Sequence, residues 1–516
     1  MKILAQFFLF IATAYSFMQF NSLEYALFLP IVFGLYWLVF PQHLKRQNLL
    51  IVAASYIFYA CWDLRFLFLI AFTSFCSWWS GLLIERTQRK DNTSTSGKSI
   101  LICNLVINLL ILGFFKYYHF FVDSFIDLLR LFGIHQQASS LKIILPVGIS
   151  FYTFQALSYS IDVYRRKISA TKDIVAFFAF VSFFPQLVAG PIERAKQLLP
   201  QFEQARRFQP KLAVDGLRQI LWGLFKKVIV ADHCALFVNE IFDNYSQMPG
   251  SRLLLAAIFF AFQIYGDFSG YSDIAIGSAK LFGIKLMRNF KLPYFSRDVA
   301  EFWRRWHISL NTWFVDYLYI PLGGSRPEIP LSCKHPQCCR QAKIIRNTLI
   351  VFLCSGLWHG ANWSFVAWGA YHAILFIPLI ITGKNKRFSQ DIAQGKLFPS
   401  LKECRQMLTC FALVVLGWIF FRAESIQEAF TYIGRMLQME SLRAFYLFFT
   451  WERVRQTSMA ILLMLALEWF SRHQEHPLCL PQLKHRSLRW LIYLLFILAL
   501  FAFQVEEEIQ FIYFQF

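Results

Sequence analysis

Long apolar runs separated by short basic segments constrain this chain more than any other feature of its sequence. Of its 516 residues, 57% are hydrophobic and 59 are phenylalanine, which is more apolar surface than a soluble core can bury. A bilayer removes this difficulty, because lipid is itself an apolar solvent in which helices satisfy their own backbone. With about 20 apolar residues for each span, we predict an all-α polytopic bundle of about 11 to 13 transmembrane or re-entrant helices. The apolar segments lie near 24–40, 48–62, 65–84, 100–121, 143–162, 173–190, 212–237, 252–282, 345–358, 362–382, 406–421, 456–470 and 488–504.

The net charge of +20 lies between the apolar runs and is not gathered in one basic domain. Lys and Arg cluster in the segments 41–47, 85–99 and 163–172, as they do in the cytoplasmic loops of membrane proteins. The turn 61–64 and the segment 122–142 would then face outside. Basic loops of this kind bind anionic lipid head groups, so the charge predicts membrane lipids as partners and argues against nucleic acid.

Residues 1–17 form a separate segment, with one early lysine, an apolar run and then small residues. This order is typical of a signal peptide or of a short extra span. A third interpretation is that translation begins at Met18. We expect the remaining residues, 18–516, to form a single transmembrane domain.

A polar segment, 323–346, contains Cys333, His335, Cys338 and Cys339 close together. Cysteine and histidine at short spacing can hold zinc. This spacing fits no standard zinc pattern, so we expect an unliganded loop and assign no metal site.

The segment 301–313 contains His307 among aromatic residues and two arginines, Arg304 and Arg305. At helical spacing its aromatic residues share one face while the arginines lie on others. This pattern predicts one amphipathic helix in the membrane interface. Composition alone favours a solvent-exposed histidine that serves no chemical purpose.

His359 joins two strongly apolar stretches and has no basic neighbour. Gly356 and Gly360 flank it and allow a helix or a ligand to approach closely. An ionisable group at membrane depth is costly, so a functional role is the default hypothesis, and an ordinary imidazole pKa suits proton transfer near neutrality. The alternative is a histidine that is hydrogen-bonded to another helix, which is also how we interpret His119 and His372.

Two carboxylates, Asp267 and Asp273, lie six residues apart within an otherwise apolar stretch. They are suited to pairing with arginines of the 301–313 segment, to orienting a histidine, or to lining a water-filled cavity. Gly266 and Gly270 between and beside them indicate an interrupted helix. The sequence contains no GxSxG, Walker or HExxH motif, which removes support for the usual serine hydrolases, nucleotide hydrolases and zinc proteases.

Nine ordered segments make the chain recognisable from Met18 onward. Together they resemble the membrane-bound O-acyltransferase (MBOAT) family, in particular its bacterial branch that contains the membrane subunit of alginate O-acetylation. The segments are FNSLE (20–24), PVGISF (146–151), FFPQLVAGP (183–191), DFSGYSD (267–273), NFKLPYFSR (289–297), the stretch 301–311, DYLYIPLGG (316–324), GLWHGANW (356–363) and FIYFQF (511–516).

The resemblance implies a fold and a set of site residues. The fold is a ring of tilted helices around a thin centre, with a funnel that reaches the histidine from the cytoplasm. His359 takes the role of the catalytic histidine, and His307 is a second motif histidine. We expect His307 to bind the acyl carbonyl or to stabilise its developing negative charge. The arginines would meet donor phosphates, although lipid phosphate is an equally good partner. We expect the substrate-binding residues to be Asp267, Asp273, Arg304, Arg305, Trp358 and Asn362.

The resemblance also implies an activity in the inner membrane of a bacterium. We expect transfer of an acetyl group from a cytoplasmic thioester such as acetyl-CoA, with no bound cofactor. The acceptor is the hydroxyl of an exported polysaccharide such as alginate, or a periplasmic partner protein that completes acetylation. The alternatives are D-alanyl transfer to a cell-envelope polymer, as in a related branch, and a transporter or flippase without chemistry.

Overall fold

The computed structural model describes residues 18–90, 95–135, 141–188, 190–328, 335–388, 390–438, 452–480, 483, 485–505, 507 and 509–512. Within these ranges the regular structure is helical throughout. The segment 1–17 lies outside the described residues, and so do Cys333 and the last four residues of the FIYFQF segment.

The chain divides into two compact units, and the first contains Met1–Ile220 and Tyr271–Met287. Its helices are α1 (Leu23–Gly34), α2 (Leu44–Ala60), α3 (Leu67–Lys90), α4 (Thr95–Leu112), α5 (Tyr118–Leu131), α6 (Ile149–Tyr164), α7 (Ile174–Ser182), α8 (Phe184–Leu187) and α9 (Ala195–Glu203).

The second unit contains Leu221–Gly270 and Arg288–Phe516. Two helices run from one unit into the other along the chain, α10 (Pro210–Leu224) and, after α11 (Asp232–Asp243), α12 (Gly250–Leu281). The helices that follow are α13 (Val299–Arg305), α14 (Ile308–Phe314), α15 (Pro336–His359), α16 (Trp363–Ile381), α17 (Leu401–Arg422), α18 (Ile426–Met436), α19 (Glu452–Phe470) and α20 (Arg486–Ala502). Short π-helical turns include Phe225–Ala231 and Val315–Tyr319.

Five helical stretches in the described residues are long and apolar enough to cross a membrane. The other predicted apolar segments also form helices, which are shorter or more polar. The prediction of an all-α, multi-pass membrane protein is therefore confirmed. The five stretches are Leu64–Lys90, Ser96–Leu131, Gly250–Leu281, Trp363–Ile381 and Leu401–Arg422.

Helix α12 is the most deeply buried of these five stretches. Of its most apolar window, 83% is buried within the protein, against 22% for Ser96–Leu131. The helix is continuous from Gly250 to Leu281, so the predicted interruption at Gly266 and Gly270 is wrong. A Cβ atom at Gly270 would lie 2.8 Å from the carbonyl oxygen of Gly223, which shows that this glycine permits close backbone approach.

A buried lysine pairs with Asp267 of this helix and with Asp232 of α11. The Nζ atom of Lys227 lies 2.7 Å from Asp232 Oδ1 and 2.9 Å from Asp267 Oδ1. The second oxygen of Asp267 accepts a hydrogen bond from the backbone N–H of Ile512 at 2.7 Å. The expected pairing of Asp267 with Arg304 or Arg305 is therefore wrong, because a lysine from the preceding π-helical turn makes the ion pair.

Helices α15 and α16 pack closely through glycines that face the partner backbone. A Cβ atom at Gly369 would lie 2.4 Å from the carbonyl oxygen of Phe352, and one at Gly356 would lie 2.3 Å from that of Phe365. Small residues at such points allow helices in a membrane to gain van der Waals contact. This packing matters for function because α15 ends at His359.

We predict that Gly369→Ala lowers the stability of the protein by about 1–3 kcal/mol, the usual cost of overpacking. The matched control is Gly434→Ala in α18, where nothing lies within 4 Å of the added Cβ and helix propensity favours alanine by about 1 kcal/mol. Thermal unfolding in detergent, followed by tryptophan fluorescence, measures both variants. Equal midpoints for the two variants would contradict the packing described here.

Candidate active site

The helical segment that contains His307 is interrupted at this residue. Helix α13 ends at Arg305 and α14 begins at Ile308, while His307 has a φ of 43°, in the left-handed region. This conformation is uncommon for residues other than glycine. The prediction of one amphipathic helix over 301–313 is therefore wrong, and the break turns the histidine inward.

Backbone hydrogen bonds from a neighbouring segment hold the break in place. The N–H of Ile308 donates to the carbonyl oxygen of Asn289 at 2.9 Å, and the N–H of Lys291 donates to that of Arg305 at 2.9 Å. These bonds satisfy groups that a helix end would leave unpaired. The position of His307 is thus set by residues 289–291.

The side chain of Asn289 determines which nitrogen of His307 carries the proton. Its Oδ1 atom accepts from the backbone N–H of Ser309 at 3.2 Å and from the Ser309 hydroxyl at 2.8 Å. A backbone N–H can only donate, so this atom is the amide oxygen and not the nitrogen. His307 Nδ1 lies 3.2 Å from the same oxygen and 3.4 Å from the Ser309 hydroxyl. We assign the proton to Nδ1, because the nearer partner is the amide oxygen, which can only accept. In the neutral ring, Nε2 is then a hydrogen-bond acceptor.

His307 is buried among aromatic rings, only 1% exposed. The ring of Phe268 lies 4.7 Å away, centre to centre, and meets it edge-on. Burial lowers the pKa of His307, which lies outside the five membrane-spanning stretches, to about 3. The prediction that this histidine is solvent-exposed is wrong.

A buried carboxylate anchors the helix that leads to His307. Glu301 is 1% exposed and pairs with Arg297 at 2.9 Å and with Arg305 at 2.8 Å. Arg305 also lies 3.5 Å from Asp391. A buried charge needs such compensation, so Arg305 contributes to the internal structure, and we find it paired inside the protein instead of facing lipid phosphate.

His359 is the last residue of α15 and is 4% exposed. Its ring is surrounded by those of Trp358 at 5.0 Å, Trp368 at 5.0 Å and Phe421 at 5.3 Å. The ring of His307 lies 6.3 Å away. The structure therefore brings together two histidines that are 52 positions apart in the sequence.

Both histidines line one cavity of about 410 Å³. Its walls carry aromatic side chains, among them Trp303, Phe314 and Phe352, and two cations, Arg304 and Lys386. A largely apolar cleft with a few convergent polar groups is the usual form of a small-molecule site.

Arg304 differs from its neighbour Arg305 in its surroundings. Its guanidinium donates to the carbonyl oxygens of Asn385 at 2.8 Å and Phe388 at 2.9 Å. These bonds hold the side chain at the cavity while a guanidinium with five N–H donors retains others for a ligand. Lys386 lies in the same segment, which sequence analysis did not single out.

The remaining predicted binding residues do not line this cavity. Asp267 pairs with Lys227, and Asp273 accepts a hydrogen bond from Gln219 at 2.7 Å within the first unit. Asn362 caps α16 and donates to the carbonyl oxygen of Glu424 at 2.8 Å. Trp358 packs on both histidine rings.

The cysteine-rich segment offers no complete set of ligands among the described residues. Cys339 forms a disulfide, so its sulfur is not free to bind a metal ion. His335 and Cys338 are exposed at the start of α15.

Sequence analysis missed two residues of the site. Asn289 begins a segment used for the resemblance, but a buried asparagine beside a loop carries no local signal of its role. Lys386 belongs to a run of charged residues that is typical of any solvent-exposed loop. In both cases the signal exists only in the folded contacts.

The chain is similar to proteins of one known family. The family model of MBOAT, the membrane-bound O-acyltransferase family, matches residues 165–391, which include both histidines. A probable alginate O-acetylase of Pseudomonas aeruginosa is 39% identical over 426 residues, covering 83% of this chain and 74% of that protein.

Two further relatives act on other polymers of the cell envelope, as their names state. A peptidoglycan O-acetyltransferase of Helicobacter pylori is 32% identical over 443 residues, covering 80% of this chain and 79% of that protein. A teichoic acid D-alanyltransferase of Streptococcus thermophilus is 28% identical over 260 residues, covering 49% of this chain and 61% of that protein. The chain belongs to the membrane-bound O-acyltransferase family and is an O-acyltransferase.

Proposed function

We propose that this enzyme takes an acetyl group from a thioester donor on the cytoplasmic side of a bacterial inner membrane and delivers it for O-acetylation of an exported polysaccharide. The observation that carries the proposal is a single cavity that is lined by the two motif histidines and by two cations. The relatives named for alginate and peptidoglycan O-acetylation support a polysaccharide as the final acceptor.

His359 is the proposed general base. A neutral imidazole at this position would accept the proton of the attacking hydroxyl as the oxygen bonds to the thioester carbonyl and the thiolate leaves. General-base assistance contributes about 10²–10⁴-fold to such reactions. The aromatic rings around His359 leave it only 4% exposed, which would limit hydrolysis of the thioester by water.

The tautomer of His307 changes the role that we propose for it. With the proton on Nδ1 directed at Asn289, the Nε2 atom accepts a hydrogen bond instead of donating one. His307 is thus suited to orienting the attacking hydroxyl or another donor group of the substrate. It is not suited to donating to the developing oxyanion, the role suggested by the sequence.

Arg304 and Lys386 favour a donor that carries phosphate. Both side chains line the cavity with the histidines, and cations of this kind bind phosphate groups. Acetyl-CoA has this chemistry, and so does a carrier-bound phosphopantetheine of the kind used for D-alanine. We also propose that a periplasmic partner protein receives the acetyl group from this membrane protein and then passes it to the polysaccharide.

We predict that His359→Ala lowers acetyl transfer by about 10²–10⁴-fold, because the base is lost, while expression and membrane insertion are unchanged. The control is His485→Ala, which removes an exposed histidine and should leave transfer intact. Radiolabelled acetyl-CoA with purified enzyme and acceptor, together with mass spectrometry of surface polysaccharide from a complemented deletion strain, measures both. Undiminished acetylation with His359→Ala would remove the basis of the proposal.

We predict that Lys386→Ala raises the KM for the donor by about two- to fivefold, as expected for one partly exposed charge, with little change in kcat. The control is Lys384→Ala, an exposed lysine two positions away that does not line the cavity. Initial rates against acetyl-CoA and against D-alanyl carrier protein, at two salt concentrations, provide the data. If the two lysine variants behave alike, the phosphate-binding role is wrong.

We predict that His307 does not produce the acid limb of the pH–rate profile between pH 5 and 8. Since burial lowers its pKa to about 3, the ring stays neutral as the pH falls from 8 to 5. His307→Gln, which retains an acceptor, should reduce kcat yet keep the shape of the profile. Disappearance of the acid limb in this variant would show that His307 titrates in that range.

A further inference from the structure

Three buried rings contact one another beside the cavity, and the proposed chemistry does not use them. The ring of His372 lies 5.0 Å from that of Trp303 and 5.1 Å from that of Trp368, and the two indoles lie 5.5 Å apart. His372 and Trp368 are fully buried and Trp303 nearly so. We call this set, Trp303, Trp368 and His372, the three-ring cluster.

The polar atoms of this cluster have no hydrogen-bond partner among the described residues of the protein. These atoms are the Nε1 atoms of both indoles and both ring nitrogens of His372. Each buried polar group without a partner costs about 1–3 kcal/mol, and such groups in a native protein normally bond to protein or to ordered water. The prediction of His372 as a hydrogen-bonded core group is therefore half right, because the ring is buried but not bonded to protein.

The chemistry of the three rings is the complement of one water molecule. Two indoles supply N–H donors, and a neutral imidazole supplies one acceptor and one donor. A water oxygen accepts two hydrogen bonds and a water hydrogen donates to the imidazole, which gives the roughly three bonds typical of buried water. Phenylalanine would fill the place of His372 at lower cost if packing were the only requirement.

The cluster is in contact with the proposed base on one side and with the cavity on the other. The ring of Trp368 meets that of His359 edge-on, 5.0 Å away at 85°. Trp303 lines the cavity directly. Any hydrogen bond that holds the two indoles therefore also restrains the ring of His359 and one wall of the cavity.

We propose that the three-ring cluster binds an internal water molecule and that His372 is a positioning residue, which orients His359 through this water and Trp368. The water site stands independently of the reaction, whereas the positioning role rests on the proposed function. His372 does not touch the reacting atoms.

The first test looks for the water itself. Electron cryomicroscopy of the full chain in a lipid nanodisc, at a resolution that shows ordered solvent, should reveal density at hydrogen-bond distance, about 2.7–3.2 Å, from at least two of Trp303 Nε1, Trp368 Nε1 and the His372 nitrogens. His372→Phe should lack that density. A map that resolves other internal waters but shows none here overturns the proposal, whatever the enzyme is found to catalyse.

The second test distinguishes a positioning role of His372 from a purely structural role. His372→Phe should unfold at a temperature close to that of the unaltered enzyme, because the apolar ring fills the same space and offsets the hydrogen bonds that are lost with the water. Its kcat should fall by roughly tenfold or more, as misplaced catalytic groups do, at an unchanged KM for the donor. His372→Gln, which restores hydrogen bonding, should recover part of kcat.

A matched control lies next to His372 on the same helix. Tyr371 donates from its hydroxyl to the carbonyl oxygen of Leu413 at 2.8 Å, so Tyr371→Phe should lower the unfolding temperature and leave kcat unchanged. An unaltered kcat in His372→Phe refutes the positioning role. A joint loss of stability and kcat that glutamine does not rescue refutes it as well. Failure of the proposed function would instead appear as undiminished transfer in His359→Ala, with the water density still present.

Discussion

The arrangement of this site depends on the hydrogen bonds that the main chain and side chain of Asn289 make. Its carbonyl oxygen accepts a hydrogen bond from the N–H of Ile308, the first residue of α14. Its side chain lies beside His307 and Ser309. Without this partner, a left-handed residue between α13 and α14 would leave unpaired backbone groups in an apolar interior. The same few atoms therefore set the position, the direction and the tautomer of the histidine.

Two clusters of buried charges in the second unit are compensated within the protein. Lys227 lies between Asp232 and Asp267, and Glu301 lies between Arg297 and Arg305. Such pairs need not increase stability, since desolvation offsets the Coulomb attraction. Removing either partner would leave a charge in an apolar surrounding, so these pairs hold neighbouring segments in one arrangement. Arg304, which lines the cavity, is different because its guanidinium hydrogen-bonds to main-chain carbonyl oxygens.

Sequence predictions that depend on local interactions were correct, whereas those that depend on contacts between distant segments were not. The apolar runs predicted helices correctly because a run of that length can only satisfy its backbone internally. The helix over 301–313 was predicted wrongly because periodicity cannot reveal that Asn289 competes for its backbone. The break predicted at Gly266 and Gly270 was also wrong, because the sequence does not show which backbone packs against these glycines. Their effect is to admit the backbone of α10 and of the π-helical turn that follows it, and α12 is continuous past both glycines.

By itself the sequence determined that this is a helical membrane protein and, through its ordered motifs, which two histidines to examine. Run length, residue type and motif order are local properties, so they can be read without contacts. Only the tertiary structure decided that these histidines line one cavity, that His307 Nδ1 lies beside the side-chain oxygen of Asn289, and that Lys386 lines the cavity as well. It also decided that no described residue hydrogen-bonds to the ring nitrogens of His372. Each of these facts depends on distances between residues that are far apart in the chain, and no pattern along the sequence encodes such distances.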